Sequence, residues 1–146
     1  MKVVGSRSLL LVGLLVVVGL PLLGAWLRRH QSPRCALDGL AIDRRFQVRV
    51  VERTGQAHCF CCVRCASQWL ARQAVPAGAV YVTDEATSAE IAAERAIFVE
   101  SAIVGQPTTG NRVHVFRTEA DALMHARAFA GQILTDADRP FARGRP

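Results

Sequence analysis

Cys59, Cys61, Cys62 and Cys65 fall within seven residues, at a point where the sequence changes from strand-like alternation to helical spacing. Thiols this close in sequence crowd their sulfurs into one small volume, so any fold of this chain has to be built around that junction. With Cys35 the count is five, and an odd number argues against a fully paired disulfide framework. A lone cysteine is ordinarily a small buried hydrophobe; four at one junction are not filler. Two chemistries remain, soft-metal ligation and thiol–disulfide exchange.

The flanking residues set the geometry. Phe46, Val48 and Val50 alternate with Gln47 and Arg49, Thr54-Gly55 marks a turn, and a second short strand is expected near Ala57 to Phe60. Val63, Ala66 and Leu70 then recur at helical spacing to about Arg72, and Pro76-Ala77-Gly78 stops that pattern before a strand at Val80 to Val82. If the helix starts near Cys62, Cys61 and Cys65 stand about one turn apart on one face, and Cys62 and Cys65 are i, i+3 neighbours. The free N–H groups and dipole of a helix start favour thiolates, the form that binds metal or attacks a disulfide. Two or three thiolates suit Cu(I), whereas structural Zn(II) takes four ligands, so copper is the preferred cation and zinc the next.

The second half repeats the order. Ile97 to Val104 reads as a strand, Pro107 to Asn111 as a loop, and Val113 to Phe116 as a second strand. Thr118-Glu119-Ala120-Asp121 resembles a capping box, opening a helix to about Ala130 that Gly131 closes before a last strand at Ile133 and Leu134. The expected fold class is α+β, two β-β-α-β units in tandem, preceded by one N-terminal transmembrane helix. That span is Leu9 to Leu27, 19 residues without a charge, close to the roughly 20 needed to cross a hydrocarbon core of about 30 Å. It exceeds a usual signal-peptide core, and Leu23-Gly24-Ala25 is a poor cleavage site. No cysteine near its end marks a lipid attachment. Lys2 and Arg7 on one side and Arg28 and Arg29 on the other leave its orientation open.

Composition excludes two classes of function. At 51% hydrophobic the chain is not intrinsically disordered. Its net charge of +6 comes from the flanks of the span, Arg34, and a tail bearing Arg139, Arg143 and Arg145 against Asp136 and Asp138, because residues 35–134 hold ten Arg and ten Asp+Glu. No basic run lies within the domain, so nucleic acid is not expected as a partner. No Ser-His-Asp set, phosphate loop or catalytic carboxylate pair can be assembled. His58 should face away from Cys59 on its strand, His114 and His125 are read as structural or solvent-facing, and Met124 as core packing. Three segments result: a membrane anchor over 1–30, a metal-binding domain over 31–134, and an Arg/Pro-rich disordered tail over 135–146.

Cys35-Ala-Leu-Asp-Gly39 followed by Cys61-Cys-Val-Arg-Cys65 resembles the Cys-x-x-Cys-Gly-Met and Cys-x-x-x-Cys elements of the NosL family, the accessory proteins of nitrous oxide reductase. The stretch from Val80 through Asp84, Thr87 and Ile91 to Val99 is similar to that family's middle segment, and Val115 to Ala122 with Gly131 to Leu134 to its end. The cysteine spacing is also similar to TRASH-type metal domains, with 22 residues between Asp38 and Cys61. The resemblance implies a membrane-attached, periplasm-facing protein of the inner membrane that binds Cu(I) and hands it to a copper-requiring client. It is then not an enzyme. The metal ligands on this reading are Cys61 and Cys65, completed by Cys35, Asp38 or Cys62. The sequence departs from the family at Asp38, where the second Cys stands, at Leu40, where a Met follows, and in Pro107-Thr108-Thr109-Gly110, where a Met is often found. A thiol-disulfide protein using Cys61, Cys62 and Cys65 is the alternative. A third reading is thiol chemistry on mercury, because the structurally related organomercurial lyases use cysteines with an aspartate.

Overall fold

Two small antiparallel sheets and two helices make up the fold, in an α+β arrangement. The computed structural model describes residues 33–73, 78–135 and 137–141. Leu9 to Leu27, expected to span a membrane, lies outside them; no helix among the described residues is long and apolar enough to do so.

The first sheet contains β1 (Val48–Val51), β2 (Ala57–Phe60), β3 (Ala79–Thr83) and β4 (Glu90–Ala92) in the order β2-β1-β3-β4. Val48 and Val50 on β1 and Val80 and Val82 on β3 are buried on one face. On the other face Arg49 lies over the Tyr81 ring and pairs with Glu90 across the sheet. Helix α1 (Val63–Leu70) covers the apolar face with Val63, Cys65 and Ala66. The second sheet, β5 (Ile97–Glu100), β6 (Val113–Phe116) and β7 (Gln132–Ile133), has the order β6-β5-β7 and is joined by α2 (Glu119–Ala128).

The two halves match bond for bond. Before β1, Cys35 N–H donates to Leu40 C=O and Gly39 N–H to Cys35 C=O; before β5, Asp84 N–H donates to Ala89 C=O and Ser88 N–H to Asp84 C=O. Gly39 and Ser88 both adopt positive φ, 74° and 60°. A 3-10 turn follows in each copy, Arg44–Phe46 and Ala93–Arg95. Ala36 N–H reaches Cys59 C=O at 2.8 Å, and Glu85 N–H reaches Val115 C=O at 2.9 Å. His58 and Phe60 pack on Trp69, as His114 and Phe116 pack on His125.

Several sequence expectations shift. Phe46 belongs to the 3-10 turn rather than to β1, and β4 was not expected. The strand expected to reach Val104 ends at Glu100, because residues 101–103 are drawn off to the histidines: Ser101 Oγ bonds His125 and Ile103 C=O bonds His114. Met124, expected in the core, is 66% exposed. Within the segment expected to be a disordered tail, Arg139 donates to the carbonyls of Ala93, Glu94 and Ala96 at 2.7–2.8 Å and stacks on Phe98, which also meets Phe141 edge-on. Asp136 and residues 142–146 lie outside the described residues.

His114 and Glu85 form a buried pair at 2.9 Å that ties the β3–β4 turn to β6. Burial opposes a charge on His114, but the Glu85 carboxylate outweighs it and raises the His114 pKa. Burial, then the neighbouring His114, lowers that of His125. An NMR titration of the imidazole resonances should place His114 above the ordinary histidine value and His125 below it. In Glu85→Gln the carboxylate that outweighs burial is gone and only the Ile103 carbonyl still supports the charge, so the His114 midpoint should fall; an unchanged midpoint contradicts the pairing.

Candidate metal centre

The cluster forms where the end of β2 turns into α1. Phe60 closes the strand against the core, Cys61 follows in the turn, and Cys62 is the N-cap residue in extended conformation, so Cys65 sits at the third helical position. One turn of helix brings the sulfurs of Cys61 and Cys65 to 3.6 Å. The loop before β1, pinned to β2 by the Ala36–Cys59 bond, lays Cys35 and Asp38 against them. Asp38 Oδ2 lies 3.2 Å from Cys65 Sγ and 3.7 Å from Cys61 Sγ. One ligand atom from each of Cys35, Asp38, Cys61 and Cys65 falls within 4.8 Å of all the others.

Burial separates the donors. Cys35, Cys61 and Cys65 are at most 3% exposed, while Asp38 is exposed and forms the solvent side of the site. Cys62 stands beside this set without completing it, with its sulfur 3.9 Å from Cys61 Sγ and 3.3 Å from Thr109 Oγ1. Cys59 points elsewhere, toward Gln47 Nε2 at 3.7 Å. His58 is occupied by Glu52 at 2.8 Å and by Trp69, as expected of a residue on the opposite face from Cys59.

The electrostatics correct one expectation. A helix start was expected to favour thiolates, but burial pushes the Cys61 thiol up, and the neighbouring Cys62 adds to this. For Cys65 burial is again the first cause, followed by the S–H bond it donates to the Asp38 carboxylate, which stabilises the protonated form. Burial also pushes the Asp38 carboxyl upward, but the Leu40 N–H and the thiols of Cys35, Cys65 and Cys61 outweigh it and hold its pKa below the usual value. At rest Cys61 and Cys65 are therefore thiols beside the Asp38 carboxylate. An incoming cation has to displace thiol protons, which a soft ion does by the strength of its bonds to sulfur.

The second half supplies an internal control. Its counterparts of Cys35, Asp38, Cys61, Cys62 and Cys65 are Asp84, Thr87, Arg117, Thr118 and Asp121. There Asp84 accepts from the Thr87 hydroxyl and the Arg117 N–H, and Thr118 accepts from Asp121 N–H at 3.2 Å as a helix cap. Oxygen closes the frame with hydrogen bonds in one copy, and sulfur occupies it in the other. Helix α1 lacks the side-chain cap that Thr118 gives α2; its Arg64 N–H donates instead to Asn111 Oδ1, from the loop before β6, at 3.3 Å. Asn111, a residue that sequence reasoning missed, thus holds the cysteine-bearing helix from the other half.

No family model matches the sequence, and no curated protein does. Among solved structures, a crystal structure of the copper chaperone NosL from Shewanella denitrificans aligns with a TM-score of 0.59 at 23% identity, covering 69% of this chain and 84% of that one. The fold is that of NosL. On this NosL fold the four donors come from two places, the loop before β1 and the first turn of α1.

Two measurements test the site as described. Without metal, Cys61 and Cys65 should react slowly with iodoacetamide at neutral pH, at rates that climb only above the ordinary thiol range; rapid modification at pH 7 contradicts the raised values. Asn111→Ala, which removes the cap of α1, should lower stability in urea by about 1–2 kcal/mol.

Proposed function

We infer that this protein is a membrane-anchored, extracytoplasmic copper-binding accessory protein, which holds Cu(I) between Cys35, Cys61 and Cys65 and passes it to a copper enzyme. The observation that carries the reading is the convergence of three buried sulfurs and one carboxylate oxygen within 4.8 Å. Cu(I) accepts two or three thiolates, and it loses little if the hard Asp38 oxygen stays outside its coordination shell. Zn(II) would draw on all four donors, which makes a zinc-binding module the competing metal reading. Copper gains support from a fold shared with a protein described as a copper chaperone.

Attachment to the inner membrane as a single span rests on the charge-free run Leu9–Leu27. The periplasm-facing placement and a client such as nitrous oxide reductase rest on the resemblance of the cysteine and aspartate segments. No reaction is assigned to the site, and the protein is read as a carrier, not an enzyme. The thiol-disulfide alternative draws on one distance, the 3.6 Å between the Cys61 and Cys65 sulfurs.

The full-length chain, purified in detergent under anaerobic reducing conditions, should bind Cu(I) stoichiometrically against a competing chelator and prefer it to Zn(II). Cys61→Ser and Cys65→Ser should each weaken binding by more than the roughly 10–100-fold that loss of an outer-shell partner costs. If the wild type holds no stoichiometric metal, or both variants bind as tightly, the reading fails. A Cys61–Cys65 disulfide with an oxidising potential and no tight metal would favour the redox alternative.

A further inference from the structure

Cys62 is fully buried, yet it does not do what a residue at a helix start usually does. In the second copy the Thr118 hydroxyl, at the same position, accepts the Asp121 N–H. Cys62 makes no such bond, and the outside cap from Asn111 takes a different donor, the Arg64 N–H. Its sulfur turns toward Cys61 instead. It reaches Cys61 Sγ at 3.9 Å, while it falls outside the set whose donors lie within 4.8 Å of one another. The Cys61–Cys65 pair, 3.6 Å apart, thus has Cys35 and Asp38 for neighbours in one set and Cys62 with Thr109 as a further flank.

We propose that the cluster holds two Cu(I) ions, bridged by the sulfurs of Cys61 and Cys65, with Cys35 as the end ligand of one ion and Cys62 as that of the other. This rests on the copper-binding reading and adds a second position to it. A thiolate keeps lone pairs after binding one soft ion and bridges readily to a second. Each ion then meets three sulfurs, which Cu(I) accepts. Zn(II) on the Cys62 side would find three sulfurs and only the neutral Thr109 hydroxyl, so the second position selects for copper. Every sulfur that binds releases its proton to solvent. The negative charge that four thiolates leave over two monovalent ions sits at the N-terminal end of α1, where the helix dipole partly offsets it.

The test uses the reduced full-length chain in detergent, titrated with Cu(I) against a competing chelator, with X-ray absorption at the copper edge. The wild type should take two Cu(I) per chain and show a copper–copper vector, and Cys62→Ser should take one, bound as tightly as the first ion in the wild type, with the vector gone. A wild type that saturates at one ion, or a Cys62→Ser variant that still takes two, overturns the second position and leaves the copper-binding reading standing. A wild type that takes none overturns both. The vector is read on the unmutated protein, so it decides the matter even if Cys62→Ser folds poorly.

Discussion

One backbone hydrogen bond, made twice, organises this molecule. In each half a tight turn ahead of the first strand is fastened to the second strand, by Ala36 N–H to Cys59 C=O in one copy and by Glu85 N–H to Val115 C=O in the other. Because the second strand runs straight into the helix, this bond sets the turn against the helix start, and whatever side chains occupy the two places are forced to meet. In the second copy it does more. The turn at Asp84 belongs to the β3–β4 hairpin of the first sheet and Val115 to the second sheet, and Glu85 Oε1 also accepts the Val115 N–H. The frame of one copy is therefore the joint between the two sheets. No buried side-chain nitrogen or oxygen among the described residues lacks a partner, which is what a joint made of buried carboxylates requires.

The same frame serves two purposes through a change of element. Oxygen donors and acceptors are strong hydrogen-bonders, so Asp84, Thr87, Thr118 and Asp121 close their copy permanently. Thiols are weak hydrogen-bonders and soft ligands, so Cys35, Cys61 and Cys65 leave theirs open to a cation. The cost of that exchange is a helix without a cap of its own, and Asn111 compensates from across the molecule.

Much of this was legible in the sequence where one local signal decided the outcome. The strand at Ala57–Phe60, the helix from Val63, the strand at Val113–Phe116 and the Thr118 cap follow from alternation, helical spacing and capping chemistry, and the structure has them at the expected places. The chemistry of the cysteine junction was visible for the same reason. What escaped depends on contacts distant in sequence. The strand at Glu90–Ala92 is three residues long and exists because β3 offers it an edge. The shortening of β5 comes from two histidines reached only after folding. Asp84 and Glu85 look like ordinary surface acids until the repeat shows them holding a turn, and the identities of the repeat are hidden because cysteine stands opposite aspartate, threonine and arginine. The expectation of thiolates failed because burial outweighs the dipole of an eight-residue helix.

The closed second copy bears on the life of the open one. Its hydrogen bonds require no ion, and they hold the sheets together whether or not the cysteines are occupied. The half closed by oxygen thus keeps the half lined by sulfur in shape without help from a ligand.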